Sequence, residues 1–284
     1  MATFYNQATL SYNGNTTTSN ITAGELVEIL TAAKTAVTDT YQSGGRITYI
    51  ISIVNSGTDN FSTLTVTDNL GAYAYNTQTL TPLDYVEGSV KYFINGVLQA
   101  APVITSTSPL TITGISVPAG GNTTLVYETT ANEFAPLESE AAITNTATIT
   151  GQELATPITA VETVNTENSA FLTISKSLTP STVTENGQIT YTFIIQNSGN
   201  TEALAADNVV LTDTFIPILK NITVTFNAVT WTEGTNYNYS EATGLFTTIG
   251  GQITVPAATY TRDTATGALI INPGVSTLTV TGTI

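Results

Sequence analysis

The chain has 284 residues, with 21 acidic against 6 basic side chains and a formal net charge of −15. It has no Cys and no His, which excludes disulfides, zinc fingers, thiol nucleophiles and every histidine-based triad or general base. Four Lys and two Arg against that charge cannot neutralise a phosphate backbone, so nucleic acid is excluded as a partner.

Charged residues make up only 10% of the chain, against about a quarter in an average globular protein. Thr, Asn, Ser, Val and Ile fill the difference, which reads as many short strands with uncharged polar outer faces. No run approaches the ~18–20 apolar residues of a membrane span. The first residues, Met1-Ala2-Thr3-Phe4-Tyr5-Asn6, have no basic or apolar region of the kind a signal peptide needs.

In chain order, Phe4 to Leu10 reads as a strand, and residues 1–14 as an N-terminal extension. Residues 15–27 read as a linker, 28–165 as a first domain and 166–284 as a second, joined near Glu162 to Ala170. Self-comparison supports the division. Lys34 precedes Ile47-Thr48-Tyr49 and Asn55-Ser56-Gly57, and Lys176 precedes Ile189-Thr190-Tyr191 and Asn197-Ser198-Gly199. Lys to Tyr is 15 residues in both copies and Tyr to Asn is 6. Each copy then reaches a Thr-Asp pair, at Asp68 and Asp213.

Within each copy the apolar period is two, as in Ile47, Tyr49, Ile51, Ile53 and in Ile189, Tyr191, Phe193, Ile195. Asn13-Gly14, Asn95-Gly96 and Asn186-Gly187 are turn dipeptides. The fold class is therefore all-β: two tandem immunoglobulin-like sandwiches. The first copy ends with Ile143-Thr144-Asn145-Thr146-Ala147-Thr148-Ile149, whereas the second stops after the strand around Leu278 to Val280. The missing counterpart is found in Phe4-Tyr5-Asn6-Gln7-Ala8-Thr9-Leu10. Asn145 leads to Ile158-Thr159-Ala160, Glu162 and then Lys176, 31 residues on; Asn6 leads to Ile21-Thr22-Ala23, Glu25 and then Lys34, 28 residues on.

Parity places Lys34, Lys176, Asp68, Asp213, Asn145 and Asn6 in phase with apolar neighbours. A buried Lys loses its proton readily and becomes nucleophilic, and a protonated Asp beside it can polarise an Asn carbonyl. Attack would give a Lys–Asn isopeptide bond with loss of ammonia. The alternative is a half-buried Lys–Asp salt bridge with Asn as a strand cap. The expected sets are Lys34, Asn145 and assisting Asp68 within the chain, and Lys176, Asp213 and Asn6 of a second copy between chains. Phe4, Asn6, Ala8 and Leu10 form the donor strand.

These motifs resemble the conserved repeat of prokaryotic surface proteins called domain of unknown function eleven. The triads are similar to those of isopeptide-forming domains in Gram-positive pilins and adhesins. A two-copy chain of this kind also resembles the subunits of clostridial spore appendages. The resemblance implies an extracellular filament, on a spore or cell surface, polymerising head to tail with itself. It implies no cofactor, no membrane insertion and no enzymatic turnover beyond self-cross-linking.

A second class remains open: a monomeric adhesin that binds a ligand through its loops, with Met1 to Asn20 as a leader. Tyr73, Tyr75, Trp231, Tyr237 and Tyr239 would then be a contact surface, although cross-strand packing also accounts for them. Calcium at Asp207, Asn208 or at Asp59, Asn60 is weaker, because acid-amide pairs in such loops are usually turns; no metal site is assigned.

Overall fold

The computed structural model describes residues 2–26 and 29–284. The chain opens with β1 (Ala2–Asn6), β2 (Thr9–Tyr12), β3 (Asn15–Thr18) and β4 (Thr22–Leu26). β1 pairs antiparallel with β4, and β2 with β3. Asn13 and Gly14, at φ 44° and 76°, form the left-handed two-residue turn that suits the twist of a hairpin. The segment expected as a linker, 15–27, therefore contains two strands that fold back on the extension. The Asn13-Gly14 turn carried that information, since a hairpin turn requires a second strand after it.

The first domain begins with β5 (Leu30–Ala36), β6 (Thr40–Tyr41), β7 (Arg46–Asn55) and β8 (Phe61–Asp68). Three short strands follow, β9 (Tyr73–Tyr75), β10 (Gln78–Leu80) and β11 (Leu83–Tyr85). Next come β12 (Lys91–Ile94), β13 (Val97–Leu98), β14 (Val103–Thr107) and β15 (Leu110–Val117). β16 (Asn122–Ala131), β17 (Ala142–Thr150) and β18 (Ile158–Thr166) complete it. One sheet runs β13-β12-β16-β7-β5 and the other β14-β15-β8-β17-β18-β6. Their facing sides bury Ile47, Tyr49, Ile51 and Ile53 against Leu64, Val66, Ile112 and Ile149, the core that strict alternation implies. Because β18 extends to Thr166, the connection between domains is 167–171.

The second domain contains β19 (Leu172–Thr179), β20 (Gln188–Asn197), β21 (Thr212–Thr214), β22 (Lys220–Phe226) and β23 (Val229–Trp231). It continues with β24 (Tyr237–Ser240), β25 (Leu245–Thr248), β26 (Thr259–Arg262), β27 (Leu269–Asn272) and β28 (Gly274–Thr283). Its first sheet, β19-β20-β28-β22-β23, repeats β5-β7-β16-β12-β13 strand for strand. Its second sheet is β24-β25-β21, the counterpart of β14-β15-β8 alone. Among the described residues nothing in this domain stands where β17 and β18 stand in the first.

The repeated Asn-Ser-Gly motif is a turn device. Asn55 Oδ1 accepts the Gly57 N–H and its Nδ2 donates to the carbonyls of Asp59 and Pro118. Asn197 does the same with Gly199, Thr201 and Pro256. Both Asn side chains are buried, so these bonds replace lost water.

The β26–β27 hairpin holds the two domains together. Tyr260, Leu269 and Ile271 pack on the first domain's core, and Leu269 N–H donates to the Glu133 carbonyl at 2.7 Å. The Arg262 guanidinium lies 5.5 Å from the Tyr73 ring centroid and 5.7 Å from that of Tyr75. No described helix is long and apolar enough to cross a membrane.

Candidate functional site

In the first domain, Lys34 lies on edge strand β5 opposite Ile51, and Asp68 ends β8 opposite Ala147 of β17. Asn145, two residues before Ala147, sits opposite Glu162 of β18. Lys34, Asp68 and Asn145 are 4%, 1% and 0% exposed, in a core made mostly of apolar side chains. Lys34 Nζ pairs with Asp68 Oδ2 at 2.5 Å. Burial is the largest influence on the amine and, against the pull of Asp68 and Glu162, lowers its pKa from 10.5 to about 8.

Every other contact of the carboxylate and amide is internal. Tyr127 hydroxyl donates to Asp68 Oδ2 at 2.5 Å, and Leu70 N–H to Asp68 Oδ1 at 2.9 Å. Gly71 N–H donates to Asn145 Oδ1 at 3.2 Å. Asn145 Nδ2 and Tyr49 hydroxyl are buried without a hydrogen-bond partner. The amide nevertheless faces the Tyr49 and Tyr127 hydroxyls closely enough to favour their ionised forms, although burial dominates and raises both. A buried polar atom without a hydrogen-bond partner costs roughly 1–3 kcal/mol.

Chemically, the arrangement is an amine with a lowered pKa, a carboxyl group touching it, and an amide whose oxygen already accepts a backbone N–H. The sequence assigns no role to Tyr127 or Gly71, and Glu162 enters there only as a landmark of the repeat. Tyr127 was detectable, because among Leu125, Tyr127 and Thr129 it alone carries a long inward side chain with a polar tip.

In the second domain, Lys176 pairs with Asp213 in the same way. Its Nζ lies 4.4 Å from the Tyr191 ring centroid, as Lys34 lies 4.7 Å from that of Tyr49. The environment differs: the Lys176 and Asp213 side chains are 40% and 20% exposed. Parity puts both in phase with apolar residues; those beside Lys176, Leu172, Ile174 and Leu178, are exposed too, whereas Leu211 and Phe215 beside Asp213 are buried. The position of Tyr127 opposite Tyr49 is taken by Val280 opposite Tyr191, so no hydroxyl serves Asp213 there. Asn6, Phe4, Ala8 and Leu10 lie on the N-terminal ribbon and are solvent-exposed, so within one chain Asn6 is not buried in a core.

The aromatics do not gather into a contact surface. Trp231 stacks on Phe226 at 4.9 Å, Tyr237 packs on Phe246, and Tyr239 hydroxyl donates to the Leu219 carbonyl. Tyr73 and Tyr75 sit under Arg262 at the domain junction. In the acid-amide loops the side chains bond backbone: Asp207 accepts the Leu204 N–H across a single 3-10 turn, and Asn60 accepts the Ala119 N–H from a facing loop.

No family model matches the sequence, and no curated protein sequence matches it. Among solved structures the chain is similar to the major pilin subunit BcpA of Bacillus cereus, at 11% identity and TM-score 0.37, over 96% of this chain and 73% of that one. It is also similar to the pilus backbone protein RrgB of Streptococcus pneumoniae, at 13% identity and TM-score 0.35, over 86% of this chain and 55% of that one. A third is the collagen adhesin CNA of Staphylococcus aureus, at 12% identity and TM-score 0.31, over 55% of each chain. The chain thus spans about half the length of the latter two proteins.

Proposed function

We propose that this chain is the repeating subunit of an extracellular fibre, a spore appendage or pilus-like filament. It assembles head to tail by donating its N-terminal strand to the second domain of a neighbouring copy. One contrast carries the reading. Leu30 and Lys34 of β5 are buried beneath β18, whereas Ile174 of the equivalent β19 is 58% exposed and, among the described residues, one edge of β21 has no strand partner. An apolar face with an adjoining unpaired edge is a template for strand addition. Phe4, Ala8 and Leu10 supply the apolar side chains that the site lacks, worth roughly 1.5–3 kcal/mol per large residue buried.

Isopeptide bonds then lock the fibre. Within the chain, the neutral Lys34 amine attacks the Asn145 side-chain carbonyl carbon; the new C–N bond replaces the C–Nδ2 bond, and Nδ2 leaves as ammonia. Asp68 passes the proton from the amine to the departing nitrogen, and the Gly71 N–H stabilises the oxygen as it gains charge. Between chains, Lys176, Asp213 and Asn6 of the donor repeat the step once the donor has excluded water. A head-to-tail contact of this kind propagates into an open fibre.

The test is boiling in SDS followed by mass measurement. A ladder of covalent oligomers, lighter by one ammonia per bond, is expected. Asn6→Ala should reduce it to monomers that have still lost one ammonia. Unmodified monomers from the native chain, seen as single particles by electron microscopy, would overturn the reading in favour of a monomeric binding module.

A further inference from the structure

The first domain's closing element is a hairpin rather than a single strand: β17 pairs with β8 and β18, and β18 covers β5. The N-terminal ribbon matches both halves. Ile21-Thr22-Ala23-Gly24-Glu25-Leu26-Val27 parallels Ile158-Thr159-Ala160-Val161-Glu162-Thr163-Val164, as Phe4 to Leu10 parallels Ile143 to Ile149. The pairing of the two halves differs. In β17–β18, Ala147 faces Ala160 and Asn145 faces Glu162. Carried to the ribbon, that register would set Ala8 against Ala23, Thr9 against Thr22 and Asn6 against Glu25. In the free ribbon, Asn6 instead faces Thr22 and Thr3 faces Glu25, a slip of three residues.

A slip by an odd number exchanges the faces of one strand relative to the other. In the β17–β18 register, Phe4, Ala8 and Leu10 share a face with Ile21 and Ala23. That one-sided pattern matches Ile143, Ala147, Ile149, Ala160 and Val164, all buried in the first domain. In the free register, Phe4 shares its face with Thr22 and Gly24, while Ala23 lies with Tyr5 on the other. The Phe4 ring also rests where a Cβ on Gly24 would be. The equivalent residue in β18 is Val161, which points to solvent. The glycine is therefore suited to the free register and gives nothing to the docked one.

We propose that the donated element is the whole ribbon 2–26, held in the free subunit in a slipped, latent register. Docking on a second copy's β19 and β21 shifts it by three residues. This rests on the filament reading above. Latency keeps the apolar residues from forming a single sticky face before an acceptor is present.

The chain has no Cys, so engineered pairs report register without background. Thr9→Cys/Thr18→Cys joins residues opposed in the free ribbon, and Thr9→Cys/Thr22→Cys joins residues opposed in the docked one. Oxidised Thr9→Cys/Thr18→Cys should fail to polymerise and recover fully on reduction, while oxidised Thr9→Cys/Thr22→Cys polymerises. Gly24→Val, which removes the Phe4 seat, should shorten the polymerisation lag several-fold. If the oxidised Thr9→Cys/Thr18→Cys protein polymerises like the reduced one, the register shift is wrong and strand donation stands. If the native chain stays monomeric under the same conditions, both are overturned.

Discussion

Lys34 and Lys176 occupy the same place in two copies of one sheet, opposite Ile51 and Phe193 on the neighbouring strand. The first side chain is fully buried, and the second is 40% exposed. Local sequence cannot cause this, since both strands alternate alike and both Lys pair with an Asp. The cause is the hairpin Ala142–Thr166, which covers one and has no described counterpart within the second domain. Four consequences can be measured.

Cross-linking in the first domain should speed up with pH. With the Lys34 pKa lowered to about 8, about one amine in ten is neutral at pH 7, against fewer than one in a thousand at an ordinary Lys. The ammonia-loss rate of freshly refolded protein should rise roughly tenfold per pH unit below 8 and level off above it. A flat profile between pH 6 and 9 would contradict the role of the amine.

Stability should carry the same signature when the bond is prevented. In Asn145→Ala, the unfolded chain holds a Lys34 proton up to pH 10.5 that the folded domain releases from about 8. Unfolded protein thus binds more protons in that window, and stability rises with pH across it, by roughly 3 kcal/mol in all. Above about pH 10 the raised pKa values of Tyr41, Tyr49 and Tyr127 act oppositely, because the unfolded tyrosines ionise first. Urea unfolding of Asn145→Ala against Asn145→Ala/Lys34→Met isolates the Lys34 part.

Tyr127→Phe removes the hydroxyl that donates to Asp68 Oδ2 while keeping the ring stacked on Tyr49 at 5.7 Å. Stability of the Asn145→Ala form should fall by about 1 kcal/mol, and in the native background bond formation should slow by at least fivefold. Asp68→Ala should instead abolish the bond. Without cross-links it should cost roughly 3–5 kcal/mol, since it leaves a buried amine without its partner.

Arg262→Ala should loosen the two domains without unfolding either. It removes two cation–π contacts, together worth roughly 1–2 kcal/mol, and the bond from the guanidinium to the Gly267 carbonyl. Protease cleavage within 167–171 and a larger radius of gyration in solution scattering are the expected readouts. Each domain's thermal transition should shift little.

Much of this architecture is legible in one dimension. The two-residue period marks the core of β7 and β20, because pleating sends alternate side chains to opposite sides. The 15-residue Lys-to-Tyr interval marks the repeat. Tyr127 and Gly71 escaped notice because their roles depend on which strands become neighbours: β16 beside β7, and β17 beside β8. The ribbon was half visible, in the Asn13-Gly14 turn. Its register was not, since strand pairing depends on what face is buried, and a free hairpin buries none.

The order of residues alone therefore determined the all-β class, the two copies, and the in-phase Lys, Asp and Asn. These follow from backbone geometry that any strand obeys. Only the tertiary structure decided that Lys34 is buried while Lys176 is half in water. Burial is a property of the strands packed above a residue, and among the described residues none packs above Lys176 as β18 packs above Lys34.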